Sequence, residues 1–162
     1  MVSSSGCEWV LLSYRIPREP STPRIAVWRR LKRLGVAQLG DGLVALPRDA
    51  RTQEQLEWVA EQVHEAEGSA TLWVAAATSA RQERDLIGEL VQARTAEYAA
   101  LIARAVELET ANDVPVREVR SLRRELREVE RRDFFPPVER EQARRAAQRL
   151  AVRAGLVQER VR

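Results

Sequence analysis

The feature of this sequence that most constrains its fold is a basic helix joined directly to a tight hairpin, between residues 27 and 47. Apolar residues at helical spacing form one stripe of the helix: Val27, Trp28, Leu31 and Leu34. Basic residues occupy the opposite face: Arg29, Arg30 and Arg33. Gly35 stands where a helix C-cap favours positive φ, and Asp41-Gly42 predicts a two-residue turn between apolar runs. The segment is therefore predicted to run helix, strand, turn, strand.

Strand and helix signals on both sides of this segment complete an ordered pattern. Residues 8–16 predict a strand, and residues 17–23 predict a loop that leads into the basic helix. A second helix is predicted from about Thr52 to Glu67, ended by Gly68, and a fourth strand from Ala70 to Ala77. The order β-α-β-β-α-β is that of a ferredoxin-like domain, an antiparallel four-stranded sheet with two helices on one face. We therefore predict an α+β fold.

The second half of the sequence contains no strand signal and is predicted to be helical. One long helix is expected from about Ala80 to Ala111, a second begins near Pro115, and a third ends at Gly155. The chain is therefore expected to contain two domains. These are a ferredoxin-like domain at residues 1–78 and a helical extension of about three helices at residues 79–162.

Composition argues against several kinds of site. Cys7 is the only cysteine and His64 the only histidine, so one chain cannot assemble a disulfide, a zinc knuckle or a Cys-His nucleophile pair. Asp41 and Asp49 invite comparison with nuclease metal ligands, but neither has a paired carboxylate beside a catalytic partner. We expect no enzymatic activity, no metal and no cofactor. Apolar runs far shorter than the roughly 18 residues of a membrane span, and an N-terminus unlike a signal peptide, predict a cytoplasmic protein.

The formal net charge of +3 hides an uneven distribution along the chain. Counted from the sequence, residues 1–48 carry a net charge of +5, residues 49–112 of −7, and residues 113–162 of +5. Two basic ends around an acidic middle allow three interpretations: an anionic partner, self-association between opposite patches, or charge balance within one chain. All three stay open at the level of sequence.

Four stretches of the sequence carry a resemblance to a known family. They are Trp9-Val10-Leu11-Leu12, the basic helix from Val27 to Lys32, the run from Gly42 to Pro47, and Arg132-Asp133-Phe134-Phe135. The sequence resembles, over about residues 8–155, the N-terminal region of ChrB-type chromate-resistance regulators. The resemblance implies a transcriptional regulator of chromate efflux that responds to chromate. It also implies a ferredoxin-like half similar to the middle domain of PaaX-type repressors. Many such proteins continue into a second, chromate-resistance domain, which lies outside this sequence.

The basic helix and the residues before it form the predicted DNA- or anion-binding surface. Its members are Arg15, Arg18, Arg24, Arg29, Arg30, Lys32 and Arg33. Several phosphates neutralised by such a surface would make binding strongly dependent on salt. The alternative is a solvated helix whose arginines pair with the acidic second helix through Glu54, Glu57, Glu61 and Glu65. No segment matches a helix-turn-helix, so sequence-specific base contacts are not predicted.

The same arginines could hold chromate, because a guanidinium offers forked N–H donors to an oxyanion. Arg24, Arg29 and Arg30 are the candidates for this contact. Cys7, next to Glu8, is not expected to be a reactive thiolate, and His64 is expected to be a surface residue. Asp133 is interpreted as a turn or ion-pair residue that docks the aromatic pair after it.

The tryptophans and the apolar stripe of the long helix are the residues from which packing is predicted. The four tryptophans come from four predicted elements and are predicted to share one core: Trp9, Trp28, Trp58 and Trp73. The apolar stripe of the long helix can be covered by the chain's own helices or by a second copy. We expect a homodimer that binds DNA. The alternative is a non-enzymatic interaction module without DNA affinity, and the salt dependence of DNA binding separates the two.

Overall fold

The computed structural model describes residues 6–156 and has the predicted α+β composition. The described residues form four strands and five helices. The first part of the chain contains β1 (Glu8–Arg15), α1 (Ser21–Leu34), β2 (Ala37–Gly40), β3 (Leu43–Pro47), α2 (Ala50–Glu65) and β4 (Ser69–Ala76). Three helices follow: α3 (Ala80–Thr110), α4 (Val116–Arg131) and α5 (Glu139–Arg153). Within residues 6–156, no helix combines the length and the apolar character needed to cross a bilayer.

The chain divides into two compact units, and the division falls between residues 90 and 91. The helix α3 begins in the first unit and ends in the second. A compact unit is not by itself an independently folding domain, so the expected domain boundary at residue 78 stays a prediction.

The sheet of the first unit has the strand order β2-β3-β1-β4, and all neighbouring strands are antiparallel. The central strand β1 pairs with β3, where Val10 is opposite Leu46 and Leu12 is opposite Val44. These four side chains are at most 1% exposed. The helix α2 packs against β1 and β4 and buries its own apolar stripe: Leu56, Val59, Ala60 and Val63. The unit is thus held by one apolar layer between sheet and helix.

The hairpin between β2 and β3 turns at Asp41-Gly42, as the sequence predicts. Gly42 has a φ of 69°, which L-residues with a side chain adopt at a cost. Its carbonyl oxygen accepts a 2.7 Å hydrogen bond from the backbone N–H of Tyr14. A Cβ at this position would lie 2.3 Å from the carbonyl oxygen of Tyr14. Glycine is therefore required here both by backbone conformation and by the close approach of β1.

The ends of α2 are set by local contacts that shift it from its predicted bounds. Asp49 caps the helix by accepting a 2.7 Å hydrogen bond from the N–H of Thr52, and the Thr52 hydroxyl accepts one from the N–H of Asp49. The helix therefore begins at Ala50. It ends at Glu65, two residues before its predicted end, and Glu67 takes the left-handed conformation with a φ of 58°. Gly68 is needed because a Cβ there would lie 2.4 Å from the carbonyl oxygen of Arg15.

The second unit has its own apolar core, built from α3, α4, α5 and the segment before α4. The buried residues of α4 are Val119, Leu122, Leu126 and Val129, which recur every three or four residues and so lie on one face of the helix. The helix α5 contributes mainly small side chains: Ala143, Ala146, Ala147, Leu150 and Ala151. Small residues allow α4 and α5 to pack closely.

The prediction that four tryptophans share one core is wrong for three of them. Trp9 is 2% exposed, whereas Trp28 is 51%, Trp58 is 49% and Trp73 is 57% exposed. On α1 the side chains of Val27 and Leu31 point into the unit, and Trp28 is turned about 100° away from Val27. Trp73 lies on β4, one of the two edge strands of the sheet, where more than half of the residue stays exposed.

Candidate functional site

The predicted basic surface is centred on α1, whose ends are well defined. Gly35 forms the left-handed C-cap with a φ of 75°, and its N–H donates to the carbonyl groups of Leu31 and Lys32. Lys32 and Arg33 occupy the last turn, where positive charge is favourable beside the helix C-terminus. The local sequence thus stabilises the helix and places cations at its end.

The structure brings together five of the seven predicted site residues on α1: Arg24, Arg29, Arg30, Lys32 and Arg33. Four of the five are exposed, and Arg30 is half-buried. Arg15 is the last residue of β1, and Arg18 lies in the connection to α1; both are exposed. Among the described residues, no hydrogen bond or ion pair joins Arg15 or Arg18 to the basic residues of α1.

A groove between α1 and α2, of about 610 Å³, lies beside the basic face. Its walls are Arg29, Arg30 and Arg33 from α1, and Trp58, Glu61 and Glu65 from α2, with Ala26 and Gln62. Arg30 donates a 3.2 Å hydrogen bond from Nη1 to Oε1 of Gln62, and its guanidinium carbon lies 6.0 Å from the ring centre of Trp58. A second cation stands beside an exposed ring, since Nζ of Lys32 lies 5.6 Å from the ring centre of Trp28.

The alternative in which these arginines pair with α2 is not realised in the described part of the chain. No carboxylate oxygen of the described residues lies within 4.0 Å, the limit for an ion pair, of a side-chain nitrogen of Arg29, Arg30, Lys32 or Arg33. Arg48 behaves differently, because its Nη1 lies 2.9 Å from Oε2 of Glu8. Glu61 and Glu65 still line the groove and reduce its positive potential. The basic residues of α1 thus remain available to an external anion.

A second arginine surface, on α4, was missed at the level of sequence. Five arginines recur every three or four residues, and we call them the α4 arginine stripe: Arg117, Arg120, Arg124, Arg127 and Arg131. All five are exposed, on the side opposite the buried apolar residues of the helix. Within residues 6–156 none of them forms an ion pair, and Arg124 donates a 3.4 Å hydrogen bond to Ser121. The spacing rule that identified the apolar stripe would also have identified this one.

Other arginines of the second unit are paired with carboxylates. Arg104 lies 2.7 Å from Glu118 and 2.8 Å from Glu125, and its hydrogen bond to Glu125 holds the pKa of that carboxyl below its usual value. Arg144 contacts Glu130 and Glu141, and Arg149 contacts Glu109. The contrast shows that carboxylates of this unit do form ion pairs with arginines, whereas within residues 6–156 none of them pairs with the α4 arginine stripe.

A partly buried polar cluster connects α3 with the residues after α4. Tyr98 is fully buried and donates a 2.8 Å hydrogen bond from its hydroxyl to Oδ2 of Asp133, and burial raises the pKa of Tyr98. Arg132 contacts Glu97 at 3.0 Å, and Nη1 of Arg94 donates to the carbonyl oxygen of Arg132 at 3.2 Å. Burial lowers the pKa of Arg94. Asp133 therefore ties the chain after α4 to α3 through this hydrogen bond, and its expected role in docking the aromatic pair stays a prediction.

Cys7 is half-buried, and His64 is exposed, as expected of a surface residue. Burial raises the pKa of Cys7, and the nearby carboxylates of Glu83 and Glu8 raise it further, so its thiol stays protonated at neutral pH. His64 is exposed near the end of α2.

The described residues thus form an α+β protein in which the helices α1 and α4 carry exposed arginines without ion pairs. The chain belongs to the family of ChrB N-terminal domains, which it matches over residues 24–161. This confirms the resemblance drawn from the sequence. It is also 28% identical over 142 residues to Protein ChrB of Cupriavidus metallidurans, in an alignment that covers 83% of this chain and 42% of that protein. The chain thus spans less than half the length of this curated relative. No solved structure matches the chain significantly.

Proposed function

We propose that the chain is a non-enzymatic, chromate-responsive transcriptional regulator that acts in the cytoplasm and binds DNA as a dimer. Membership of the ChrB family supports the link to chromate resistance. We also infer that the strand order β2-β3-β1-β4, with helices between β1 and β2 and between β3 and β4, is the ferredoxin-like arrangement.

The observation that carries DNA binding is the unpaired state of the basic residues on α1. Exposed arginines without carboxylate partners keep their charge free for phosphate oxygens, and each neutralised phosphate releases a bound counterion. Arg29 and Arg33 line the groove without an ion pair among the described residues. This surface supplies affinity for the DNA backbone, and it offers no element of the kind that reads base edges.

Chromate response is proposed to use the same charge. Chromate and phosphate are both oxyanions, so a dianion bound by Arg24, Arg29 or Arg30 would compete with the DNA backbone for the same donors. Glu61 and Glu65 across the groove oppose a dianion placed deep between the helices. We therefore propose that chromate binds on the α1 side of the groove and lowers DNA affinity.

The test is a titration of the purified chain against its own promoter DNA at several salt concentrations, with unrelated DNA as the control. We expect affinity that falls steeply with salt and falls further with chromate, whereas sulfate at equal ionic strength should act less. The double variant Arg29→Gln/Arg33→Gln should weaken binding at least tenfold. Arg48→Gln is the matched control, since Arg48 is already paired with Glu8.

Each failure has a distinct meaning. No binding at low salt overturns the regulator and favours the alternative, an interaction module without DNA affinity. Binding that ignores chromate overturns the proposed effector and leaves the DNA contact in place. Equal losses in Arg48→Gln and in the double variant would contradict the assignment of the surface to α1.

A further inference from the structure

We propose that the α4 arginine stripe is a second contact surface, which binds the phosphate backbone of duplex DNA. The proposal rests on the proposed DNA-binding function and assigns part of that affinity to a helix with no previously assigned role. From Arg117 to Arg131 the helix rises about 21 Å, at about 1.5 Å per residue. Five exposed guanidinium groups along this length give one cation about every 5 Å, on a rigid element.

The chemistry of α4 favours duplex DNA over other polyanions. Four of its apolar side chains are buried in the core of its own unit, and the remaining one, Val116 at the start of the helix, is too small a surface to anchor the helix in a lipid bilayer. The helix contains no aromatic residue, so it offers no platform on which unpaired bases could stack. What remains is a row of fork-shaped donors that suits phosphate oxygens. The stripe therefore contributes affinity that does not depend on base sequence.

One acidic residue lies at the flank of the stripe and gives an internal check. Glu128 is exposed between Arg124 and Arg131, and its carboxylate forms no ion pair among the described residues. Its charge would face the DNA backbone together with the arginines. Replacing it by the neutral isostere, Glu128→Gln, is expected to strengthen binding two- to threefold.

The test measures promoter DNA binding by the full chain over a range of salt concentrations. For Arg120→Gln/Arg127→Gln we expect the slope of log Kobs against log salt to lose about 1.8, since each phosphate contact contributes about 0.9. The matched control is Arg144→Gln/Arg149→Gln, which removes the same charge from arginines already held in ion pairs. Its slope should stay within about 0.3 of the unaltered chain.

Three results would contradict the proposal. If the α4 variant keeps the full slope while Arg29→Gln/Arg33→Gln loses binding, the stripe is not a DNA contact and the proposed function stands. If the unaltered chain binds no DNA, both fall together. Preference for single-stranded over duplex DNA would contradict duplex DNA as the partner of the α4 arginine stripe.

We further infer, from an independent observation, that the outer edge of β4 pairs with β4 of a second copy of this chain. β4 is an outermost strand of the sheet, and residues 68–78 contain no charged residue and no proline. Charge and proline are the usual protection of an exposed strand edge. Trp73 and Val74, on opposite faces of β4, are 57% and 52% exposed. The proposal specifies the interface of the proposed dimer and does not require DNA binding.

The hydrogen-bond pattern of β1 shows which groups of β4 point outward. The N–H of Tyr14 donates to Gly42, which lies on the β3 side of β1. Because N–H and C=O groups alternate sides along a strand, Leu11 points toward β4, where its partner is Trp73. The alternate residues of β4 therefore direct their N–H and C=O groups away from the sheet: Ala70, Leu72, Val74 and Ala76.

This alternation restricts how two copies can pair around a two-fold axis. Outward-pointing residues must face one another, as they do when Leu72 is opposite Val74 of the second copy. Trp73 then lies opposite its own counterpart in a non-hydrogen-bonded pair, where Cα atoms are about 4.5 Å apart and side chains are closest. Both exposed apolar residues become covered, one on each face. An uncharged strand also meets its copy without electrostatic repulsion.

The association is testable by sedimentation of the free chain at micromolar concentrations. Trp73→Lys should convert the dimer into a monomer, whereas Trp58→Lys, at a similarly exposed tryptophan of α2, should leave the dimer intact. In a Cys7→Ser background, oxidation should cross-link Trp73→Cys into a dimer and should not cross-link Leu72→Cys. Cross-linking through Leu72→Cys instead would overturn the register. A dimer that survives Trp73→Lys would overturn the interface, and a monomeric unaltered chain would overturn both the interface and the dimer.

Discussion

The hydroxyl of Tyr98 donates a 2.8 Å hydrogen bond to Oδ2 of Asp133, across 35 positions of the chain. Tyr98 is fully buried, and the second carboxylate oxygen of Asp133 is buried without a hydrogen-bond partner in the described part of the structure. The hydroxyl thus donates to one oxygen of a half-buried carboxylate whose other oxygen is buried. The pair fixes the chain after α4 against α3.

Tyr98→Phe is expected to reduce the free energy of unfolding by about 1–3 kcal/mol, because it removes a hydrogen bond from a buried hydroxyl to a half-buried carboxylate. Urea denaturation followed by far-UV circular dichroism measures the change. Tyr14→Phe is the control, since no hydrogen bond of the Tyr14 hydroxyl is found among residues 6–156, and it should change stability by less than about 0.5 kcal/mol. Equal effects of the two variants would contradict the importance of the Asp133 contact.

The same contact predicts a loss of stability in alkaline solution. Burial and Asp133 raise the pKa of Tyr98 in the folded chain, whereas the unfolded residue ionises near pH 10. Above that pH the unfolded state binds fewer protons than the folded state, so stability falls as pH rises, by up to about 1.4 kcal/mol per pH unit. Unfolding free energies of the unaltered chain and of Tyr98→Phe, measured from pH 8 to 11, should converge. Parallel profiles would show that Tyr98 ionises equally in both states.

Gly42→Ala is expected to destabilise the first unit by about 2–4 kcal/mol, because it combines positive φ with a collision against the carbonyl group of Tyr14. Gly40→Ala, two residues earlier, is the matched control. An added Cβ at Gly40 meets nothing within 4 Å, so its effect should stay near 0.5 kcal/mol. Thermal unfolding of the two variants provides the comparison. A tolerated Gly42→Ala would contradict the geometry of the hairpin.

The tryptophans are expected to differ sharply in their contribution to stability. Trp9→Ala should reduce the free energy of unfolding by about 3–5 kcal/mol, since it empties a filled position of the core. Trp58→Ala should reduce it by less than about 1 kcal/mol, since half of its ring already faces solvent. Chemical denaturation of both variants measures the difference, and similar losses would contradict the observed exposure of Trp58.

Much of the fold could be predicted because the residues that end its helices and form its turns act locally. Gly35 and Gly42 mark a helix end and a turn through backbone conformations that depend on a few neighbouring residues. The exposure of Trp73 could not be predicted in this way, since it depends on β4 being the outermost strand. Strand order is decided by contacts between distant segments, so the hydrophobic periodicity within one segment does not predict it.

The candidate site shows the same division between local and distant information. The position of Arg29 and Arg33 on the outer face of α1 follows from helical spacing alone. Whether those arginines find a carboxylate depends on the distance between α1 and α2, which the sequence does not encode locally. The α4 arginine stripe was predictable, since its spacing is as regular as that of the apolar residues behind it. It was missed because the apolar stripe alone was considered.

The central place of β1 has a consequence for the nascent chain. β1 is translated first, yet it hydrogen-bonds on one side to residues 43–47 and on the other to residues 69–76. Its apolar residues, Trp9 among them, leave the ribosome before either neighbouring strand exists. The sheet cannot be completed until residue 76 has emerged. The entropy cost of closing the long loops between β1 and its partner strands must therefore be met before the strand contacts can form. During synthesis, β1 therefore waits longer for its partners than any of the other three described strands.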